Sequence, residues 1–147
     1  MPYDNSTVEI GKRQIASVSG GTRWGGGLWI NSEDLARFGL LILNKGNWRG
    51  KQLIAASWIR DATSVRADQP HLRPGTATPF FGYGYQTWIF PGERRMFALL
   101  GVRGQSIYID PASHLVMVTT AVRKLPVDPG VAENGALWRA VTRDLAR

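Results

Sequence analysis

An α+β fold is predicted for these 147 residues, with helices laid against an antiparallel sheet. Two observations predict it. Apolar residues recur at helical spacing in the segment after Asn31 and again after Gly130, whereas between Gly82 and Val122 they alternate or fall in short blocks between turn residues. The order is helices, then strands, then a closing helix, and this segregation is the α+β pattern rather than strand–helix alternation. The length suits one domain and not two.

The first helix opens at Asn31 or Ser32, either of which can cap it, and Glu33 and Asp34 suit its positive N-terminal end. Leu35, Phe38, Leu41 and Ile42 form its apolar side, and Gly46 supplies the stop. A short helix follows from Ala55 to Thr63, with Trp58, Ile59 and Ala62 turned inward. Ala67 to Pro79, with three prolines and a glycine, reads as a long surface loop. Tyr83, Tyr85, Thr87 and Ile89 alternate along one strand, and Pro91-Gly92 turns it. Met96 to Gly101 and Ser106 to Asp110 are the next strands, and Asp110-Pro111-Ala112-Ser113 leads into Leu115 to Val122. The result is a sheet of three to four strands. A last helix runs from about Glu133 to Ala146, with Leu137, Trp138, Val141 and Leu145 as its stripe.

Composition narrows the function classes. Hydrophobic residues make up 44% and charged residues 20%, a globular balance. No apolar run approaches the roughly 20 residues that would span a bilayer, and no signal-peptide pattern is visible. There is no cysteine, so disulfides and thiolate metal sites are excluded. His71 and His114 have no partners at metal-ligand spacing, so no metal and no other cofactor is implied. The net charge of +7 raises a nucleic-acid partner as one alternative. Fourteen of the eighteen cations are arginine, however, and they are spread from Lys12 to Arg147 with no run longer than an adjacent pair such as Arg94-Arg95 or Arg123-Lys124, as on a solvated basic surface. Localisation is left open.

The glycine-rich segment Gly20-Gly21-Thr22-Arg23-Trp24-Gly25-Gly26-Gly27 is not a phosphate loop. A P-loop ends in Gly-Lys-Ser/Thr, and here Gly25-Gly26 runs into Gly27 with no lysine. Leu28-Trp29-Ile30 also breaks the Gly-x-Gly-x-x-Gly dinucleotide pattern. Asp110 fits a turn residue before Pro111, and Glu33 and Asp34 fit helix-start residues, so no pair of catalytic carboxylates stands out.

Two segments carry a family resemblance. One is Gly25-Gly26-Gly27-Leu28-Trp29-Ile30-Asn31-Ser32-Glu33-Asp34-Leu35-Ala36-Arg37-Phe38-Gly39, continued by Asn44-Lys45-Gly46-Asn47-Trp48-Arg49-Gly50-Lys51-Gln52-Leu53-Ile54. The other is Gly101-Val102-Arg103-Gly104-Gln105-Ser106-Ile107-Tyr108-Ile109-Asp110-Pro111, with Tyr83-Gly84-Tyr85 between them. They resemble the C-terminal part of the serine beta-lactamase-related hydrolases, which include class C beta-lactamases, penicillin-binding proteins, esterases and 6-aminohexanoate-dimer hydrolases. The resemblance implies a partial beta-lactamase/transpeptidase-like fold and acyl transfer through a serine ester, with an ester, amide, lactam or peptide as substrate.

In that family a Ser-x-x-Lys element supplies the nucleophile and its base, and a Tyr-x-Asn element assists proton transfer. No serine here has lysine three residues on (Ser57 is followed by Arg60), and Tyr3-Asp4-Asn5 matches the second pattern only formally. The chain is therefore expected to be a C-terminal portion, residues 1–147, of one such domain, inactive alone and completed by a missing N-terminal half. A non-catalytic ligand-binding module of the same family is the alternative.

A third family element borders the substrate from a sheet strand. By resemblance it matches Gly101-Val102-Arg103-Gly104-Gln105, where the Gln105 backbone N–H would be the oxyanion donor. Val102, Arg103 and Gly104 would line the substrate, with Val102 and Arg103 departing from the usual polar or aromatic residue and glycine. Arg103 would either bind a substrate carboxylate or point to solvent from an alternating strand. Trp24, Gly25 and Gly26 would wall the site mouth, or form a tight turn with Trp24 in the core.

Overall fold

A computed structural model describes residues 7–10, 13–22, 25–28, 30–125 and 130–145. The chain divides into two compact units between Asp34 and Leu35. In the first, strands β1 (Thr7–Ile10), β2 (Arg13–Thr22) and β3 (Gly25–Leu28) form an antiparallel sheet in the order β1-β2-β3. The glycine-rich segment is thus two paired strands and their connection, not a loop. Val18 pairs with Gly27, Ser19 with Gly26 and Thr22 with Gly25, with a register shift between Ser19 and Thr22. Arg23 and Trp24 lie outside the described residues, as do Tyr3, Asp4 and Asn5. Strands therefore precede the first helix, against the expectation that helices come first. Glycines are poor strand formers, which hid β3 and the end of β2, whereas β1, Thr7–Ile10, carries a short polar–apolar alternation that went unread.

Helix α1 (Ser32–Leu43) starts where its cap predicts. Asn31 is the cap: its Oδ1 accepts from the Asp34 N–H at 2.8 Å, and Glu33 and Asp34 occupy the first turn. The helix stops at Gly46, which has φ of +80° and whose N–H donates to the Leu41 carbonyl at 2.8 Å. The Gly46 carbonyl then accepts from the Leu53 and Ile54 N–H groups, at 2.9 and 3.2 Å. Between them β4 (Asn47–Trp48) and β5 (Lys51–Gln52) make a small hairpin, and α2 (Ala56–Ala62) follows.

The second unit is built on a five-stranded antiparallel sheet: β6 (Gly82–Gly84), β7 (Thr87–Ile89), β8 (Phe97–Leu100), β9 (Ser106–Asp110) and β10 (Leu115–Thr119), in the order β10-β9-β8-β7-β6. The fifth strand comes from a hairpin at Tyr85-Gln86, where a single strand is expected. Both residues are left-handed, with φ of 52° and 65°, the conformation a two-residue primed turn requires. Neither is Gly, Asn or Asp, so the usual turn signal is missing. Tertiary contacts hold the turn: Trp58 packs edge-on against Tyr85 at 5.3 Å, and Gln69 Nε2 donates to the Tyr85 hydroxyl at 3.3 Å.

Alternation along β8 and β9 gives the sheet two buried faces. Phe97, Ile107 and Ile109 meet Ile42 of α1 and Ile59 of α2 on one side. Ala98 and Tyr108 meet Phe90 and Trp138 on the other, the side covered by α3 (Gly130–Leu145). Helix α1 comes very close to the sheet at Gly39, where a Cβ would stand 2.6 Å from Val116 Cγ1. Expected core positions that are exposed instead include Phe38, Trp58 and Leu137. So is Leu145, and in α3 the buried pair is Trp138 and Thr142, one turn apart. A helical stripe defines a period, but the neighbours decide which sector of the helix is covered.

The turn from β9 to β10 confirms the reading of Asp110 and adds a partner. The fully buried Asp110 carboxylate accepts from the Ala112 N–H at 3.0 Å, as a turn-forming Asp does. It also receives both Nε and Nη2 of Arg94, Nε at 3.3 Å, and Arg94 continues to the Ser113 hydroxyl.

Candidate functional site

The segment Gly101–Gln105 joins β8 to β9, immediately beyond the Leu100–Ser106 pair. It was expected on a strand; it is a tight turn. The Gly101 N–H donates to the Gln105 carbonyl at 2.8 Å, and Val102–Gly104 form a short 3₁₀ turn between them. Within it Arg103 is left-handed, at φ 66° and ψ 18°, and Gly104 follows at φ 100°. Alternation of strand faces therefore does not decide where Arg103 points.

The chain after β10 decides it. Arg103 Nη1 donates to the carbonyls of Arg123 and Lys124, at 3.1 and 3.0 Å, and the Arg123 N–H donates back to the Arg103 carbonyl at 3.2 Å. These three bonds tie the turn to residues 123–124 and offset the strain of a left-handed arginine. Gly104 is buried under the same contact. A Cβ there would lie 2.6 Å from Arg123 Nε and 3.0 Å from Ala121 Cβ, so glycine is favoured by its φ, and any other residue would also have to displace the Arg123 side chain. Val102 stands outward, 62% exposed, and Gln105 is exposed and extended at φ −73° and ψ 136°. Arg123 and Lys124 were visible in the sequence only as an adjacent basic pair; nothing in their spacing pointed to Arg103, twenty residues away.

The layer next to this turn is apolar. Tyr108 stacks on Trp138, with ring centroids 5.5 Å apart and planes at 28°. Burial pushes the Tyr108 hydroxyl above its ordinary value, with the nearby Ser106 hydroxyl and the cations Arg123 and Arg139 opposing it. Among the described residues the Ser106 hydroxyl and the Trp138 Nε1–H are both buried without a hydrogen-bond partner.

The remaining candidates fall elsewhere. Gly25 and Gly26 lie in β3, paired with Thr22 and Ser19. His71 sits exposed in a short 3₁₀ turn, Pro70–Leu72, and His114 is exposed at φ 51° in the β9–β10 turn. Among the described residues no three His, Cys, Asp or Glu side chains are gathered for a metal, and no helix is long and apolar enough to cross a membrane. An open groove of 570 Å³, lined in part by Thr63, Arg73, Phe90 and Arg95, lies on the β7–β8 connection, at the end of β8 opposite the Gly101–Gln105 turn. Arg95 there donates to Thr63 Oγ1 and lies over the Phe97 ring at 5.4 Å. Burial, with help from Arg60, lowers its pKa.

An antiparallel sheet with α1 and α2 on one face and a C-terminal helix on the other defines a mixed helix-and-sheet protein of beta-lactamase-like architecture. Residues 3–142 match the Beta-lactamase family model, and the chain belongs to that family. It is 27% identical over 95 residues to the 6-aminohexanoate-dimer hydrolase of Paenarthrobacter ureafaciens, a match covering 63% of this chain and 24% of that protein. It also superimposes on a solved structure from Bacillus anthracis, provisionally named a 6-aminohexanoate-dimer hydrolase, with a TM-score of 0.69 and 29% identity. That match covers 83% of this chain and 31% of the other. The matched part is thus about a quarter to a third of the length of these relatives.

Proposed function

We propose that this chain supplies the oxyanion-side wall of a beta-lactamase-family serine hydrolase that works by acyl transfer on an ester, amide or lactam. In this reading residues 1–147 are the C-terminal portion of a single domain, and the nucleophile and its base come from residues outside it. The absence of Ser-x-x-Lys from the sequence and the short coverage of both relatives support that division. Both relatives bear the 6-aminohexanoate-dimer hydrolase name, which favours an amide.

The Gly101–Gln105 turn carries the proposal. The Gln105 N–H, beside the end of β8, would stabilise the negative oxygen that forms when the serine Oγ adds to the substrate carbonyl. The leaving group then departs with a proton, and water releases the acyl group from the serine. Val102, Arg103 and Gly104 would border the substrate.

Gln105→Pro in a longer protein of this family containing these residues tests the donor. Proline removes the N–H, and its fixed φ near −65° suits the observed −73°. A fall in kcat of about 10²- to 10³-fold is expected for one oxyanion donor; unchanged kcat refutes the role. A fluorophosphonate, which loses fluoride to a reactive serine, should leave the 147-residue chain unlabelled. Labelling would show that it carries a nucleophile of its own.

A further inference from the structure

Three arginines line the open 570 Å³ groove on the β7–β8 connection: Arg73, Arg94 and Arg95. Their charges are balanced unequally. Arg94 is neutralised by the buried Asp110 carboxylate. Arg73 and Arg95 have no carboxylate within ion-pair distance among the described residues. Glu93 is the one acid among the lining residues; it is exposed and pairs with neither. The groove therefore carries a net positive charge.

Arg95 is also held in place. Its Nη2 donates to the Thr63 hydroxyl and its Nε to the Thr63 carbonyl at 3.5 Å, at the C-terminal end of α2. Its guanidinium carbon sits 5.4 Å from the centre of the Phe97 ring. These contacts use one edge and one face of a rigid, planar group. The Nη1 N–H groups are left over, with no acceptor among the described residues. Burial, then Arg60, lowers the Arg95 pKa, as expected for a shielded cation without an anion beside it. Arg73 comes from another stretch of chain. Its carbonyl accepts from the Thr76 and Ala77 N–H groups at 3.0 and 2.9 Å, while its side chain makes no bond among the described residues. Val65, Pro74, Ile89 and Pro91 add an apolar wall.

We infer that this groove is a second ligand site, built for an amphiphilic oxyanion: a carboxylate or phosphate head on Arg95 and Arg73, with an apolar tail along Val65, Pro74 and Pro91. The volume of 570 Å³ lies within the range of small-molecule sites. The head would supply to Arg95 the negative charge that Asp110 supplies to Arg94. Both kinds of head offer oxygens that accept the charge-assisted N–H bonds left over on the guanidinium. Thr63 and Phe97 already order Arg95, so little side-chain entropy is lost on binding. The four residues of β8, about 13 Å of strand, separate the groove from the Gly101–Gln105 turn. The inference therefore stands apart from the reading of Gln105 as oxyanion donor.

The test is a titration of the ¹⁵N-labelled 147-residue chain, following the Arg73 and Arg95 Nε–H resonances and the Gln105 amide. The probes are octanoate, octyl phosphate, methyl octanoate, acetate and inorganic phosphate. At least one octyl anion should move both arginine resonances and bind about five- to tenfold more tightly than methyl octanoate, a charge-assisted gain on a partly shielded cation. The tighter of the two identifies the head group. Arg95→Gln keeps a donor for the Thr63 hydroxyl but loses the charge, so it should bring that anion to the level of the ester. Arg73→Gln, at an exposed position, keeps the test open if the first variant does not fold, and should weaken the same anion about two- to fivefold. If both variants keep the full preference for the anion, the inference is overturned. If acetate or inorganic phosphate binds as tightly as its octyl counterpart, the groove holds an adventitious ion only and the inference is overturned. Equal binding of methyl octanoate shows an apolar patch and overturns it as well. If the anions move Gln105 and leave both arginines still, they bind at the other end of β8 and the groove reading fails, as it does if no resonance moves.

Discussion

Arg94 and Asp110 form an unequal pair, and the inequality predicts an unusual mutational pattern. The Asp110 carboxylate is fully buried, whereas the Arg94 side chain is 35% exposed. Arg94→Ala leaves that carboxylate with the Ala112 N–H as its remaining hydrogen bond, at 3.0 Å. An uncompensated buried charge of this kind costs about 3–5 kcal/mol. Asp110→Ala removes the charge-assisted bonds and the turn contact, but the freed guanidinium can reach water, so the expected loss is about 1–3 kcal/mol. The double variant removes the stranded charge as well, and should be more stable than Arg94→Ala alone. Equilibrium urea unfolding measures all three. With a slope of about 2 kcal/mol per molar urea, Arg94→Ala should lower the midpoint by roughly 1.5–2.5 M. If it costs less than 1 kcal/mol, or if the two single losses simply add in the double variant, the reasoning from asymmetric burial is refuted.

Gly46→Ala and Gly50→Ala share a strained φ, +80° and +83°, but only at Gly46 does a Cβ meet backbone, 2.1 Å from the Ile54 carbonyl oxygen. In urea unfolding Gly50→Ala should cost about 1 kcal/mol and Gly46→Ala at least about 3 kcal/mol, because there a hydrogen-bonded backbone must also move. Trp58 is exposed and touches Tyr85 edge-on, so Trp58→Ala should lose about 0.5–1.5 kcal/mol, against about 3–5 kcal/mol for Trp138→Ala in the core; equal losses would contradict the burial. Burial raises the Tyr108 pKa above 10.0, so the folded state holds its proton more tightly than the unfolded chain. Stability from this group is complete below pH 10 and falls as pH climbs through the folded-state value. Tyr108→Phe should flatten that alkaline decline in chemical denaturation; an unchanged slope would count against a raised pKa.

Short-range chemistry was legible without coordinates. Asn31, Glu33, Asp34 and Gly46 mark both ends of α1 because capping joins groups within a few residues of each other. Asp110-Pro111 marks its turn for the same reason, since the carboxylate bonds to an N–H two residues on. Family motifs also located the Gly101–Gln105 segment, but not its conformation. Arg103 is held left-handed by carbonyls twenty and twenty-one residues later. The Tyr85-Gln86 hairpin was hidden likewise, because Trp58 and Gln69 support the turn in place of a glycine.

By itself, then, the sequence determined an α+β chain with capped helices, a strand meander, a beta-lactamase-family signature and no Ser-x-x-Lys nucleophile. The tertiary structure alone decided which sector of each helix is covered, how Asp110 is paired, and that the guanidinium of Arg103 is clamped by the Arg123 and Lys124 carbonyls. Caps and turns are set by bonds between neighbours along the chain. Helix facing, buried ion pairs and the aim of a side chain depend on partners that folding brings close from far along it.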